Sequence, residues 1–137
     1  MSQTTSYEVI MVEAAPVSKD KSHQNLVPTA WRGTIFEIVE AFKGGDFTLS
    51  TGMVGVRPIS AEGAVGISNA IQDYGDQLVS LPEETWQTSV CQWTGSHWEV
   101  MVDLYMLEEG SSDLILHVRV YEDGSSYTFN VHFVYVP

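Results

Sequence analysis

Four side chains near the end of the chain could do chemistry together: Asp103, His117, Arg119 and His132. A histidine oriented by a carboxylate is the standard unit of general acid–base catalysis. Two histidines and an aspartate could also ligate a divalent metal. Asp103, His117 and His132 are therefore the catalytic candidates, and Glu99, Arg119 and Asn130 the ligand-binding ones. The weightier reading is structural, because polar pairs across a solvated sheet face are common and a site must be argued from geometry. The histidines do not have the HExxH spacing of a zinc site, and neither a metal nor a cofactor is expected. Cys91 is the one cysteine. It falls among core positions, where a thiol is usually inert.

These residues depend on four strands for their positions. Apolar alternation predicts strands over 88–94, 97–107, 113–121 and 127–136. The turns between them are Gly95-Ser96, Glu108–Ser112 and Asp123-Gly124. A two-residue loop at Gly95-Ser96 sets Trp93 opposite Trp98. One at Asp123-Gly124 sets Val118 opposite Phe129 and Leu116 opposite Val131. Matching apolar faces brings Val102 near Val118, or two residues away. In that register Asp103 lies opposite His117, His132 lies diagonal to His117 within about 7–8 Å, and Arg119 reaches Glu99 or Glu122. The apolar face runs from Cys91, Trp93 and Trp98 through Val118 and Val120 to Phe129, Val131, Phe133 and Tyr135. The opposite, wet face holds Glu99, Asp103, His117, Arg119, Asn130, His132 and Val134.

Two helices should cover the apolar face. The first begins near Pro28 and Thr29, with Thr29 a candidate cap, and Trp31, Ile35, Ile38, Val39 and Phe42 make its stripe. Gly44-Gly45 ends it. The second is capped by Ser60, carries Ala64, Ile67, Ile71 and Tyr74 inward, and stops at Gly75. Asp46–Ile59, with Gly52, Gly55 and Pro58, reads as an irregular connection. Leu78–Glu84 reads as a connector in which Pro82 forbids a central strand. Residues 1–27 form an N-terminal segment with a short strand at Tyr7–Val12 and a polar stretch at Pro16–Asn25; residues 28–137 form one α+β domain. The fold class is a four-stranded antiparallel meander, with room for a fifth or sixth strand, and two helices on one face.

The last strand raises its own question. Val131–Val136 (VHFVYV) has no acid, Lys or Arg and ends the meander, so its edge invites association. A protein partner, a homodimer contact, the N-terminal segment or the Asp46–Ile59 region are the candidates to cover it.

The net charge of −12 comes from 18 acidic residues against six Lys and Arg. Scattered basic residues in such a field argue against nucleic acid and anionic membranes. The surplus serves solubility, or attracts a basic protein. No run of 18 apolar residues predicts a membrane span, the N-terminus lacks the basic start of a secretory signal, and the single cysteine fits a cytoplasmic protein.

The segments AFKGGDF, DYGDQLVSLPEETW, SVCQW, HWEVMVDLY, RVYEDG and HFVYVP resemble a family of small uncharacterised bacterial proteins across Pro28–Pro137. The resemblance implies a bacterial single-domain protein of unknown function and carries over no catalytic residues. IFEIVEAFKGGDF is more loosely similar to the first helix of the cone-shaped folds typified by nuclear transport factor 2, which implies an alternative fold with a pocket between sheet and helices. The Gly- and Pro-containing Phe47–Ile59 departs from that pattern. The functional expectation is a non-enzymatic, acidic binding or interaction domain. The alternative is a small enzyme or ligand-binding protein using Asp103, His117, Arg119 and His132.

Overall fold

The chain folds as two helices over a five-stranded antiparallel open sheet in the computed structural model, which describes residues 14–137. The expected strand at Tyr7–Val12 lies outside the described residues. In chain order the elements are β1 (Asn25–Leu26), α1 (Thr29–Lys43), α2 (Ala61–Tyr74), a 3-10 turn (Glu83–Gln87), β2 (Val90–Trp93), β3 (Trp98–Met106), β4 (Gly110–Asp123) and β5 (Ser126–Tyr135). Strand order follows chain order, β1 to β5. The meander is thus the α+β sheet that alternation predicted, with β1 added at the edge beside β2.

Both helices obey their sequence signals. Ser60 accepts a hydrogen bond from the Gly63 amide at 3.0 Å and starts α2. Gly75 ends α2 at φ 85°, a backbone conformation that costs a glycine little. Pro28 occupies the cap position of α1 and makes no side-chain cap. Thr29 is the first helical residue, and its hydroxyl instead accepts from the Ala15 amide at 2.7 Å. That bond ties the polar N-terminal stretch to the helix. Trp98 Nε1 ties the same stretch to β3 by donating to the Ser18 carbonyl at 2.9 Å.

The apolar stripes of the helices close on one sheet face. Trp31, Ile35, Ile38 and Val39 from α1 and Ile67 from α2 join Trp98, Val100, Val102, Leu116, Val118 and Val120 in one buried cluster. Trp31 meets Trp98, Tyr127 and Phe129 edge-on, with ring centroids 5.1, 5.2 and 6.2 Å away. Each such pair adds about 0.5–1.5 kcal/mol beyond simple burial. Cys91 is buried in this core, and burial pushes its thiol up to about 12.

Three register expectations are corrected. Trp93 does pair with Trp98 around Gly95-Ser96. The β4–β5 turn, however, centres on Gly124-Ser125, since Asp123 pairs with Ser126. Gly124 takes the positive φ of 62° at the first turn position, where the expected loop would have placed Asp123. Val118 therefore faces Val131, and Val120 faces Phe129. Between β3 and β4, the pairs are Val100 with Val118 and Val102 with Leu116. The third correction is a β-bulge. Val118 pairs with Val131 but His117 with Phe133, which leaves His132 as an extra residue on β5. An extra residue reverses the alternation beyond it. Val134 is buried in the core, while Phe133, expected inside, is exposed and Tyr135 is half-buried on the outer face.

The Asp46–Ile59 connection forms a cover for part of the β5 edge. Gly55 O accepts from the Phe129 amide at 2.7 Å, and the Arg57 amide donates to Phe129 O at 2.9 Å. Gly55 has φ 77°, and a Cβ there would sit 2.9 Å from Tyr127 O. At the far end, Val79 and Leu107 bond Tyr105 and Gln77, so the Leu78 connector lies along β3.

Candidate functional site

The outer sheet face gathers its polar residues in cross-strand rows. Gln92, Glu99, Arg119 and Asn130 form one row across β2, β3, β4 and β5. Val90, Met101, His117 and Phe133 form the next. Side chains in a row stand about 4.5–5.5 Å apart at Cβ, and residues i and i+2 share the face. Glu99 thus has Arg119 directly beside it, His97 in the turn just before its own strand and His117 on the diagonal.

All three converge on its carboxylate. His97 Nε2 lies 2.6 Å from Oε2, His117 Nε2 bonds Oε1, and Arg119 Nε lies 3.1 Å from Oε2. Burial pushes the Glu99 carboxyl up, but hydrogen bonds from His97, His117 and Arg119 outweigh it and hold the group down to about 2. Glu99 is an anion at any pH near neutrality, which unsuits it to give or take a proton.

The histidines are occupied as well. His117 has its second nitrogen, Nδ1, buried without a partner, out of reach of any substrate atom. His97 places Nδ1 3.0 Å from Ser96 Oγ and stacks beside Tyr121 at 5.0 Å. His132 is the exception. It is exposed in the bulge, 5.2 Å from the His117 ring and 4.2 Å from Phe133. Partial desolvation, then the charges of Arg119 and His117, push its pKa below the usual value.

Asp103 does not join this group. The two-residue register difference puts Met101 opposite His117 and Asp103 opposite Ile115. Asp103 instead accepts a hydrogen bond from the Thr88 hydroxyl at 2.5 Å, while its amide bonds Ser89 Oγ at 3.0 Å. The structure brings together Glu99, His117, Arg119 and His132, sets Asn130 beside Arg119, and adds His97. The sequence signal for His97 was its position two residues before Glu99 on one strand face. Among the described residues no group of three or more His, Cys, Asp or Glu is arranged to hold a metal ion. Among the described residues no helix is long and apolar enough to cross a membrane.

Fold and site together define an acidic α+β domain with an open meander sheet and an ion-paired cluster on its outer face. The chain belongs to the family described as Domain of unknown function (DUF7668), whose model matches residues 39–137. No curated protein and no solved structure is matched by the chain. A likeness to the cone-shaped fold is not shown, and the sheet is an open one.

Proposed function

We propose that this is a non-enzymatic interaction domain, which takes up an extended segment of a basic protein partner by strand addition to the free half of β5. The observation that carries it is the partial cover of the β5 edge. Gly55–Arg57 pairs with the edge at Phe129 only. From Val131 to Tyr135 no other described strand pairs with that side. Unpaired edge backbone is the docking element of strand addition. The uncharged VHFVYV segment supplies no charge to repel a second strand.

Charge selects the partner. The chain carries a net charge of −12, and exposed Asp113 lies on β4 two residues beyond the last β4–β5 pair, Ile115 with Tyr135. That field draws a basic segment and opposes a second copy of the chain. The enzymatic reading has less support, because the nitrogens of His97 and His117 and the carboxylate of Glu99 are engaged with one another or buried.

The test combines light scattering with amide exchange at residues 131–136. An extended peptide of alternating Lys and Val serves as the probe, and its Glu/Val counterpart as the control. Monomeric mass and protection by the basic peptide alone are expected, weakening with salt. A doubled mass would assign the edge to self-association. Equal or absent protection by the two peptides would end the proposal.

A further inference from the structure

A second polar feature lies on the other side of Asn130, adjoining the Glu99 cluster where Tyr121 sits beside His97. It is a cleft of about 400 Å³ lined by Arg57, Tyr121, Glu122, Asp123, Thr128 and Asn130. The cover strand builds one wall. Because the Arg57 amide bonds Phe129 O, Arg57 stands next to the Asn130 end of β5. The tight β4–β5 turn builds the opposite wall, where Asp123 pairs with Ser126. Tyr121 and Thr128, a cross-strand pair, form the floor between them.

The lining is bipolar. Arg57 is exposed, and neither its guanidinium nor the Asp123 carboxylate has an ion-pair partner among the described residues. Glu122 is already paired with Lys19 at 2.9 Å. An unpaired cation at one end and an unpaired carboxylate at the other would each gain from a ligand of opposite charge. A dianion would meet Asp123 and Glu122, and a dication would meet Arg57. Only a ligand carrying both charges satisfies both ends. From the Asn130 position to the Ser126 position the strand rises about 13 Å. Side chains reaching inward shorten that span, so the charges of the ligand lie several bonds apart. A free amino acid is too short. A peptide of about three residues, at about 3.3–3.6 Å each, fits.

We infer that this cleft binds a short peptide with free termini, its carboxylate at Arg57 and Asn130 and its ammonium group at Asp123, with Tyr121 and Thr128 beneath the backbone. The inference is independent of strand addition at residues 131–136, since it uses the covered half of the edge.

Trialanine is the probe, titrated into the full chain while amide resonances of Tyr121, Asp123, Thr128 and Asn130 are followed. Saturable shifts at millimolar peptide are expected. N-acetylation and C-amidation should each weaken binding on the order of tenfold, the worth of one charge-assisted hydrogen bond. Arg57→Ala should abolish discrimination between the acid and the amide. Asp123→Asn should abolish discrimination between the free and acetylated amines. Neither side chain makes a contact that holds the fold, so both variants should melt as the wild type does. Absence of saturable shifts to about 20 mM, a range generous for contacts of this strength, overturns the inference. So does equal binding of free and doubly blocked peptides, or unchanged discrimination in both variants.

Discussion

Replacing Glu99 by Gln removes the negative charge on which His97, His117 and Arg119 converge. The carboxyl is held down from an ordinary 4.5 to about 2. At about 1.36 kcal/mol per pH unit, that depression is worth at most about 3 kcal/mol. Glu99 is 19% exposed but Arg119 is 35% exposed, so solvent screens part of the interaction. A contribution of about 1–2 kcal/mol remains. A carboxyl depressed in the folded state contributes stability above its unfolded pKa, and that contribution fades as pH falls through the folded value. The window therefore runs from about pH 5 down to about pH 2. Urea unfolding of both proteins at unit pH intervals is the assay. Glu99→Gln should be about 1–2 kcal/mol less stable at pH 7, with the gap closing toward pH 2. Other acidic groups titrate in both proteins and drop out of the difference. A gap of constant size down to pH 2, or no gap at pH 7, would refute the electrostatic account of the cluster.

Cys91 should resist thiol reagents in the native protein at pH 8 and react only on unfolding, since burial raises its thiol to about 12; rapid native labelling would contradict the core assignment. In an NMR titration His132 should show a midpoint below the ordinary 6.5, and Arg119→Ala should raise it, because Arg119 is one of the charges that depress it. Ser60→Ala should cost about 1 kcal/mol in urea unfolding by removing the cap on the Gly63 amide. Gly55→Ala should destabilise by about 1–3 kcal/mol in the same assay, since alanine meets both the positive φ and the Tyr127 carbonyl at 2.9 Å.

What the sequence revealed and what it hid divide along one physical line. Patterns that repeat within an element were legible. Period-two alternation found four of the five strands, and period 3.6 with Ser60 and Gly75 found both helices. Features set by a single residue were not. The choice between Asp123-Gly124 and Gly124-Ser125 as the turn centre alters no hydrophobic pattern. It nevertheless moves the β4–β5 pairs between the turn and the bulge by two residues. The extra residue at His132 is equally silent, because Phe133, Val134, Tyr135 and Val136 follow one another and suit either face. Yet that bulge decides that Phe133 faces outward and Val134 inward. A two-residue difference between β3 and β4 likewise exchanged Asp103 for Glu99 as the carboxylate beside His117. The structure sets His117, His132 and Arg119 near one another beside Glu99 and holds Asp103 apart from them. The exchange matters for function. A solvated Asp–His pair would have left a histidine free to act as a base, whereas Glu99 ties two histidines and an arginine into one closed cluster. With Glu99, His97 and His117 engaged in their own bonds, the proposed reading rests on binding at the β5 edge and in the cleft beside it.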